Sequence, residues 1–443
     1  MTPRAHAAGL AAIVGLVLAD SSVVILALPD ILDRFDVSID DVTWVLTLFN
    51  LVLALAAVPA AYAARRQAPH LVCMAGIAVF AAASLACGLA GSFSMLLAAR
   101  GLQAVGGAAA VCAALELLPR EVGSERRAAV IWAAAGAFGA AAGPAIGGGL
   151  TEAINWQAIF LAQVPIALVA LALVPRRADA PPAAPAGRPH VAANLALGLL
   201  SAALTAALFL IVLLLINGWG YTPLGAAAIV SVMPLASLIA YRLAPQGLPG
   251  RVRAASGAIL VGGGLGALAL IPDAAWGWLV PPQILIGAGL ALAIGAITED
   301  ALAGRSPLAI HGGWTIAARH AGVCIGLLIL TPIFTGDLEE QQHAAEVAGA
   351  RIVLDSRLSL TDKVDLGSRL QDAISGGPVT RPPDLSGAFA GSGDPAVLGR
   401  IKAAVTDIVE RAVTHAFSRS FAIAGLLALA ALIPLWWGRA ARL

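Results

Sequence analysis

The sequence predicts an all-α membrane protein with twelve transmembrane helices in two six-helix bundles. Hydrophobic residues make up 59% of its 443 residues and charged residues only 12%, whereas a typical soluble domain has about 45–50% apolar and about 25% charged residues. Twelve apolar runs reach the length of about 20 residues that crosses the hydrocarbon of a bilayer. Arginines gather in alternate connections between these runs. These three observations predict a multi-pass membrane protein.

The twelve runs can be placed one by one along the chain. We expect spans near residues 10–29, 42–63, 71–90, 94–117, 128–149, 155–174, 191–216, 223–241, 254–271, 277–298, 307–333 and 417–438. The connections numbered as inner ones carry Arg4, Arg65, Arg66, Arg120, Arg126, Arg127, Arg176, Arg177, Arg188, Arg242, Arg251, Arg253, Arg305, Arg439 and Arg442. The short outer loops carry only Arg34. By the positive-inside rule, both termini are expected in the cytoplasm.

A segment rich in Pro, Ala and Arg separates the sixth run from the seventh. Residues 175–190, PRRADAPPAAPAGRPH, show no apolar period, which is typical of a linker. We therefore expect an N-terminal bundle over residues 1–174 and a C-terminal bundle over residues 191–443. The Ala-rich, Arg-rich composition suggests a bacterium, and hence a bacterial inner membrane.

A long outer stretch, 334–416, separates the last two runs and exceeds usual loop lengths. Asp394 followed by Pro395 is a helix-start signal, and apolar residues then recur at helical spacing. We expect an amphipathic helix there, lying on the membrane surface or on the outer rim of the protein. The preceding GGPVTRPPDLSGAFAGSGD is expected to be flexible. Whether the stretch is a lid, a site for a periplasmic partner or a solvated connector stays open.

The fifth run contains small residues in register around a proline. Gly139, Gly143 and Gly147 are spaced four residues apart in GAFGAAAGPAIGGGL, with Pro144 between them. Such spacing lets a neighbouring helix approach to backbone contact in lipid, and Pro144 bends the helix. We interpret this face as a surface along which a neighbour slides; the alternative is a Gly-rich packing helix.

This stretch resembles the antiporter motif of the fifth helix in the drug:proton antiporter branches of the major facilitator superfamily. The following WQAIFLAQVPIALVALALVP resembles the branch whose members usually carry fourteen helices, of which twelve are visible here. The resemblance implies the major facilitator fold, with a site between the bundles near the midplane. It also implies export of a small molecule in exchange for protons, driven by the proton gradient without a cofactor.

Asp20 lies within the first run and is the only acid deep in a span. Its surroundings, LADSSVVILALPDI, resemble the first-helix signature of the same branch. A carboxylate in low dielectric holds its proton more tightly and loses it when a cation approaches. Asp20 is therefore expected to carry a proton or to balance a cationic substrate. A structural ion pair with Arg100 or Arg319 is the alternative.

Arg100 stands in LLAARGLQAVGGAAAV, which resembles the fourth-helix motif of the superfamily. The resemblance assigns proton coupling to Arg100, together with Gln103 and Gly106. A permanent guanidinium keeps a partner carboxylate ionised until substrate or proton redistributes the charge. The alternative is an arginine that anchors its helix by bonding backbone carbonyls.

Arg319 and His320 lie near the middle of the eleventh run. AARHAGVCIG resembles a late-helix pattern of the branch, with His320 where Gln is usual. Histidine changes its charge near neutral pH, so His320 is a candidate second proton site, and a satisfied hydrogen-bonding histidine is the alternative. We expect Asp20, Arg319, Gln103 and Asn50 to line the substrate cavity.

The inner loops depart from the family. The Gly and Asp expected between the second and third helices are absent from PAAYAARRQAPH, and AYRLAPQGLPGRVR also lacks the acid. In relatives that Asp is thought to latch the cytoplasmic face. Two explanations stay open: other contacts hold that face here, such as Glu116, Glu121 or Glu125 with Arg126 and Arg127, or the protein has diverged toward a specialised substrate.

The predicted function is proton-coupled export of a hydrophobic or amphipathic compound such as a drug. A lipid transporter of the same fold and a non-transporting scaffold remain as rivals. No metal cluster, nucleotide-binding loop or catalytic triad stands out in the sequence, so we expect neither an enzyme nor a nucleic-acid partner. Four cysteines in apolar runs read as small core residues, not as a disulfide frame, namely Cys73, Cys87, Cys112 and Cys324.

Overall fold

The computed structural model describes residues 2–176, 185–243, 247–375, 387–389 and 395–440. Within these residues twelve apolar segments form the bundle, as the sequence predicted. Ten of them are long and apolar enough to cross a membrane, the last as part of the longer helical stretch Ala396–Trp437. Their bounds are α1 Pro3–Ile25, α2 Ile39–Arg66, α3 Pro69–Gly88, α4 Phe93–Val122, α5 Glu125–Ala153, α6 Ala158–Ala172, α7 Val191–Gly218, α8 Pro223–Leu243, α9 Gly250–Leu268, α10 Trp276–Leu302, α11 Leu308–Asp355 and α12 Ser418–Ala430. A further helical turn region, Leu432–Ala440, continues α12.

Several helix ends have local causes in the sequence. α1 begins at Pro3, well before the predicted edge at residue 10. The Thr2 hydroxyl caps this end of the helix, and proline is well suited to the first helical turn. The first run does not continue to residue 29, since α1 ends at Ile25 and a short helix, Leu28–Phe35, follows. α4 ends just before Gly123, which adopts φ +69°, a conformation that is unfavourable for residues with a side chain. The chain reverses direction there and continues into α5.

The two halves repeat one pattern of helix pairs, although their sequences show no visible repeat. α3 packs on α4 as α9 packs on α10. A Cβ on Gly106 would lie 2.7 Å from the carbonyl oxygen of Gly76, and a Cβ on Gly289 would lie 2.6 Å from that of Gly257. The same residue type therefore makes the same backbone contact in each half. The exact domain boundaries, 1–174 and 191–443, stay a prediction, and residues 177–184 of the linker lie outside the described residues.

A second pair of crossings follows the same rule. α1 packs on α5, and α7 packs on α11. A Cβ on Gly139 would stand 2.0 Å from the Gly15 carbonyl oxygen, and one on Gly322 would stand 2.0 Å from that of Gly198. Backbone-to-backbone approach at these points explains why so many glycines lie in the spans.

The halves contact each other chiefly through α2 with α11 and through α5 with α8. Among the inter-half contacts, Gly313 of α11 faces the Ala57 carbonyl of α2, and Gly148 of α5 faces the Pro223 carbonyl of α8. We call the end that carries Arg65 and Arg120 the arginine-rich end, and the end that carries Glu152 the opposite end. That the arginine-rich end is cytoplasmic stays a prediction.

The stretch after the eleventh span is more helical than the sequence suggested. The predicted edge at residue 333 is wrong as a helix end, because α11 continues without a break to Asp355. A helix over Leu360–Ser375 follows, and the predicted amphipathic helix is present as Pro395–Ala416. Their apolar faces share a small core of Val353, Leu366, Leu370, Ala388, Ile401 and Val405. We call residues 334–375, 387–389 and 395–416 the outer subdomain; the rest of the segment expected to be flexible lies outside the described residues.

Candidate functional site

Asp20 and Arg100 form a fully buried ion pair in the N-terminal half. Both side chains are 0% exposed, and the Arg100 Nη1 group donates directly to Asp20 Oδ2. Close packing of α1 and α4 brings them together. Of the two arginines that the sequence offered as partners for Asp20, the structure therefore selects Arg100.

A shell of amides surrounds the second carboxylate oxygen. Gln163 donates from Nε2 to Asp20 Oδ1 at 2.8 Å, and Gln103 donates to the same oxygen at 3.3 Å. Gln103 Nε2 also lies 2.9 Å from Gln163 Oε1 and 2.8 Å from Ser84 Oγ. α1, α3, α4 and α6 each contribute one of these residues. Both carboxylate oxygens are thus bound, one by the Arg100 ion pair and the other by two amide donors, out of contact with water.

Arg100 is fixed in place by more than its ion pair. Its Nε donates to the Val45 carbonyl at 3.1 Å, and Nη1 donates to Gln103 Oε1 at 2.7 Å. The guanidinium carbon lies 4.2 Å from the ring centroid of Phe49 and 5.6 Å from that of Phe160, within cation–π range. Its Nη2 is buried with no hydrogen-bond partner among the described residues. Arg100 therefore both anchors its helix and serves as the counter-ion of Asp20.

His320 and Asn50 join the two halves through a hydrogen bond. His320 Nδ1 on α11 lies 2.6 Å from Asn50 Oδ1 on α2. Because Asn50 Nδ2 donates to the Leu46 carbonyl at 2.8 Å, Oδ1 is the acceptor, and His320 Nδ1 must carry the proton. Ser21, next to Asp20 in sequence, also donates to Asn50 Oδ1, at 3.2 Å. His320 therefore reaches the neighbourhood of Asp20 through Asn50 and Ser21.

The remaining predicted residues occupy other positions. Arg319 is half-buried next to His320 in sequence. Gly139, Gly143 and Gly147 pack against α1 of their own half, where added Cβ atoms would lie within 2.3 Å of Gly15 O, Ser22 Oγ and Val23 O respectively. Pro144 is buried within α5. Sliding along this face stays a prediction; across the halves, α5 presents Gly148.

The arginine-rich end is held by pairs other than those expected. Arg65 of α2 pairs with Glu116 of α4 at 3.0 Å, and His6 of α1 lies 3.0 Å from Glu121. All four residues belong to the N-terminal half. These pairs consequently stabilise one half and do not connect the two.

Sequence reasoning missed two members of the Asp20 shell, Gln163 and Ser84. Both stand inside apolar runs, where a buried polar side chain asks for a partner as a buried charge does. Gln163 even lies in the quoted WQAIFLAQVP stretch. The signal was present in the residue type, but the partner could only be read from helix packing.

The sequence model of the Major Facilitator Superfamily matches residues 10–332. Individual relatives match shorter parts. The multidrug resistance protein Stp of Mycobacterium tuberculosis is 34% identical over 161 residues, which are 36% of this chain and 30% of that protein. The multidrug efflux pump LfrA of Mycolicibacterium smegmatis is 36% identical over 164 residues, 36% of this chain and 32% of that protein. The chain thus aligns with about a third of the length of these relatives.

Solved structures match over almost the whole chain at low identity. A bacterial homolog of the human lysosomal transporter Spinster, in its inward-facing and occupied conformation, superimposes with a TM-score of 0.62 and 18% identity. That match covers 97% of this chain and 95% of the other. The unoccupied conformation gives a TM-score of 0.59 at 17% identity, over 97% and 98% of the two chains. At such identity the likeness establishes the fold.

Proposed function

Since the chain belongs to the Major Facilitator Superfamily, we propose that it is a proton-coupled antiporter. Its substrate is a hydrophobic or amphipathic compound, exported across a bacterial inner membrane by alternating access of the two halves. The observation that carries the proposal is the buried Asp20–Arg100 pair with its amide shell. Relatives named for multidrug resistance and efflux support the substrate class.

The proton step follows from the electrostatics of the pair. Protonating Asp20 removes its charge, and Arg100 then stands buried without a counter-ion. A buried ion pair broken on one side loses about 3–5 kcal/mol, which is enough energy to drive a change of conformation. Because Asp20 is 0% exposed here, the proton enters and leaves only when the halves part. This gating ties proton movement to substrate movement.

His320 supplies a second link in the same cycle. Its bond to Asn50 crosses between the halves, and Ser21 joins Asn50 to the segment that carries Asp20. When the halves separate, this bond must break, and His320 Nδ1–H is freed for another acceptor. We propose that the hydrogen bonding of His320, close to Asp20, changes when the two halves separate.

The test is proton-driven efflux in proteoliposomes carrying Asp20→Asn. Asparagine has the same shape but neither charge nor proton, so we expect exchange of substrate for protons to be lost while the protein still inserts. Asp36→Asn is the matched control: Asp36 is exposed in a left-handed turn that Asn also tolerates. Unchanged efflux driven by a pH gradient in Asp20→Asn would contradict the assignment of Asp20.

A further inference from the structure

Two buried amides in the C-terminal half have no hydrogen-bond partner among the residues that the structure describes. Gln283 on α10 is 0% exposed, and Asn217 at the end of α7 is 2% exposed. In the described part of the chain, neither the oxygen nor the nitrogen of either side chain meets a donor or acceptor. α7 and α10 pack against each other. An unpartnered amide in an apolar interior opposes folding, so these residues call for a reason.

The backbone around Asn217 is also unusual. Residues Leu214–Gly218 form a π-helical turn at the end of α7. Such turns are rare, and they occur frequently at functional sites. The π-helical turn and the unpartnered amide therefore coincide at one position.

Gln283 occupies the position in its half that Arg100 occupies in the other. The α3–α4 crossing is built on Gly76 and Gly106, and the α9–α10 crossing on Gly257 and Gly289, with matching backbone contacts. Arg100 precedes Gly106 by the same interval, six residues, by which Gln283 precedes Gly289. The internal symmetry thus sets a neutral amide opposite the charged coupling residue.

We propose that Gln283 and Asn217 form the polar subsite for the transported compound, recognising a neutral hydrogen-bonding group such as an amide, hydroxyl or aromatic amine. The inference rests on the proposed function and adds a division of roles. The N-terminal half, whose acid and amides are mutually satisfied, handles the proton. The C-terminal half, whose amides are unsatisfied until a compound is bound, selects the substrate.

The first measurement tests whether the two amides stabilise the fold or are available for binding a compound. Replacing Gln283 or Asn217 by Leu removes an unpartnered polar group from an apolar site, so we expect the melting temperature in detergent to stay level or rise. If either side chain made a hydrogen bond that stabilised the fold, its replacement by Leu would lower the melting temperature. A clear fall in the melting temperature of both variants would overturn the proposal.

The second measurement compares two lipophilic aromatic cations by fluorescence or calorimetric titration. Ethidium presents two aromatic amines, whereas tetraphenylphosphonium has no hydrogen-bonding group. We expect Gln283→Leu to weaken ethidium binding about five- to tenfold, the loss of one net hydrogen bond, and to leave tetraphenylphosphonium binding unchanged. Thr298→Val, on the same helix toward the arginine-rich end, is the control and should change neither affinity.

The outcomes separate the two proposals. Equal effects on both dyes, or none on either, would overturn the subsite while leaving the Asp20 assignment to its own test. If the unmodified protein binds neither dye, the proposed substrate class fails and the subsite fails with it. If dye selectivity changes as expected while Asp20→Asn still exchanges protons, the subsite stands and the proton assignment falls.

Discussion

At the residue scale, the buried Asp20–Arg100 pair accounts for the polar residues around it. An isolated charge could not remain ionised at this depth, so each partner stabilises the other, and the amides satisfy the remaining lone pairs. Gln163 makes the shorter of the two amide bonds to Asp20 Oδ1, at 2.8 Å against 3.3 Å for Gln103. The shell holds the carboxylate in one orientation.

Gln163→Leu should therefore impair coupling without removing the acid. Hydrogen bonds to a charged group are worth about 1.5–3 kcal/mol, so we expect proton-driven efflux to fall about tenfold or more and its pH profile to shift. Gln157→Leu, on the same short stretch but only half-buried, should leave efflux unchanged. A normal rate with a normal pH profile in Gln163→Leu would argue against a positioning role.

At the element scale, glycines decide how closely the helices approach. The α1–α5 crossing leaves no room for a methyl group at Gly139, whereas nothing lies within 4 Å of a Cβ on Gly149 of the same helix. One glycine is thus needed for packing, and the other is not. The two positions look alike in sequence, so their difference is a property of the neighbouring helix.

The pair makes an internally controlled stability prediction. Gly139→Ala should destabilise the protein by about 1–3 kcal/mol, the usual effect of overpacking. Gly149→Ala should stabilise it by up to about 1 kcal/mol, since Ala is the better helix former. Thermal unfolding in detergent distinguishes the two signs. Equal melting temperatures for both variants would show that the α1–α5 crossing is looser than described.

The helices of the outer subdomain could be predicted only in part from their local sequence. Its final helix was predicted correctly, because Pro395 marks its start and its apolar residues recur at helical spacing. The extension of α11 to Asp355 was not, since charged residues follow residue 336 and the apolar run stops. Packing of the extension against Pro395–Ala416, at points such as Gly349 and Val405, keeps it helical.

At the scale of the whole molecule, the halves touch at both ends. At the arginine-rich end Gly312 and Gly313 of α11 meet Leu115 and Ala57. At the opposite end Glu152 of α5 accepts a hydrogen bond from the Leu224 amide at 2.7 Å, at the first turn of α8. A carboxylate at a helix N-terminus is favoured by the unpaired amides and the helix dipole. We therefore expect Glu152 to stabilise the α5–α8 contact at the opposite end.

Replacing Glu152 with Gln should open that end more often. The lost charge–dipole attraction predicts an increase of about two- to fivefold in the labelling rate of a cysteine at Ala227, which is buried in the α5–α8 contact. The assay uses a background in which Cys73, Cys87, Cys112 and Cys324 are replaced. Glu125→Gln, at the other end of α5, is the control. A labelling rate equal to that of the parent would show that Glu152 does not hold the halves together.

The sequence by itself determined the class of the protein and its twelve apolar segments, and it singled out Asp20, Arg100 and Gln103 as candidate site residues. It could do so because crossing hydrocarbon demands a fixed apolar length, and because a charge inside it requires a reason. Only the tertiary structure decided that Asp20 pairs with Arg100, that Gln163 and Ser84 complete its shell, and that Gln283 meets no partner in the described part of the chain. Those facts depend on which helices meet and at what height, and in lipid the meeting points are set by close packing of small residues that the chain carries in many places.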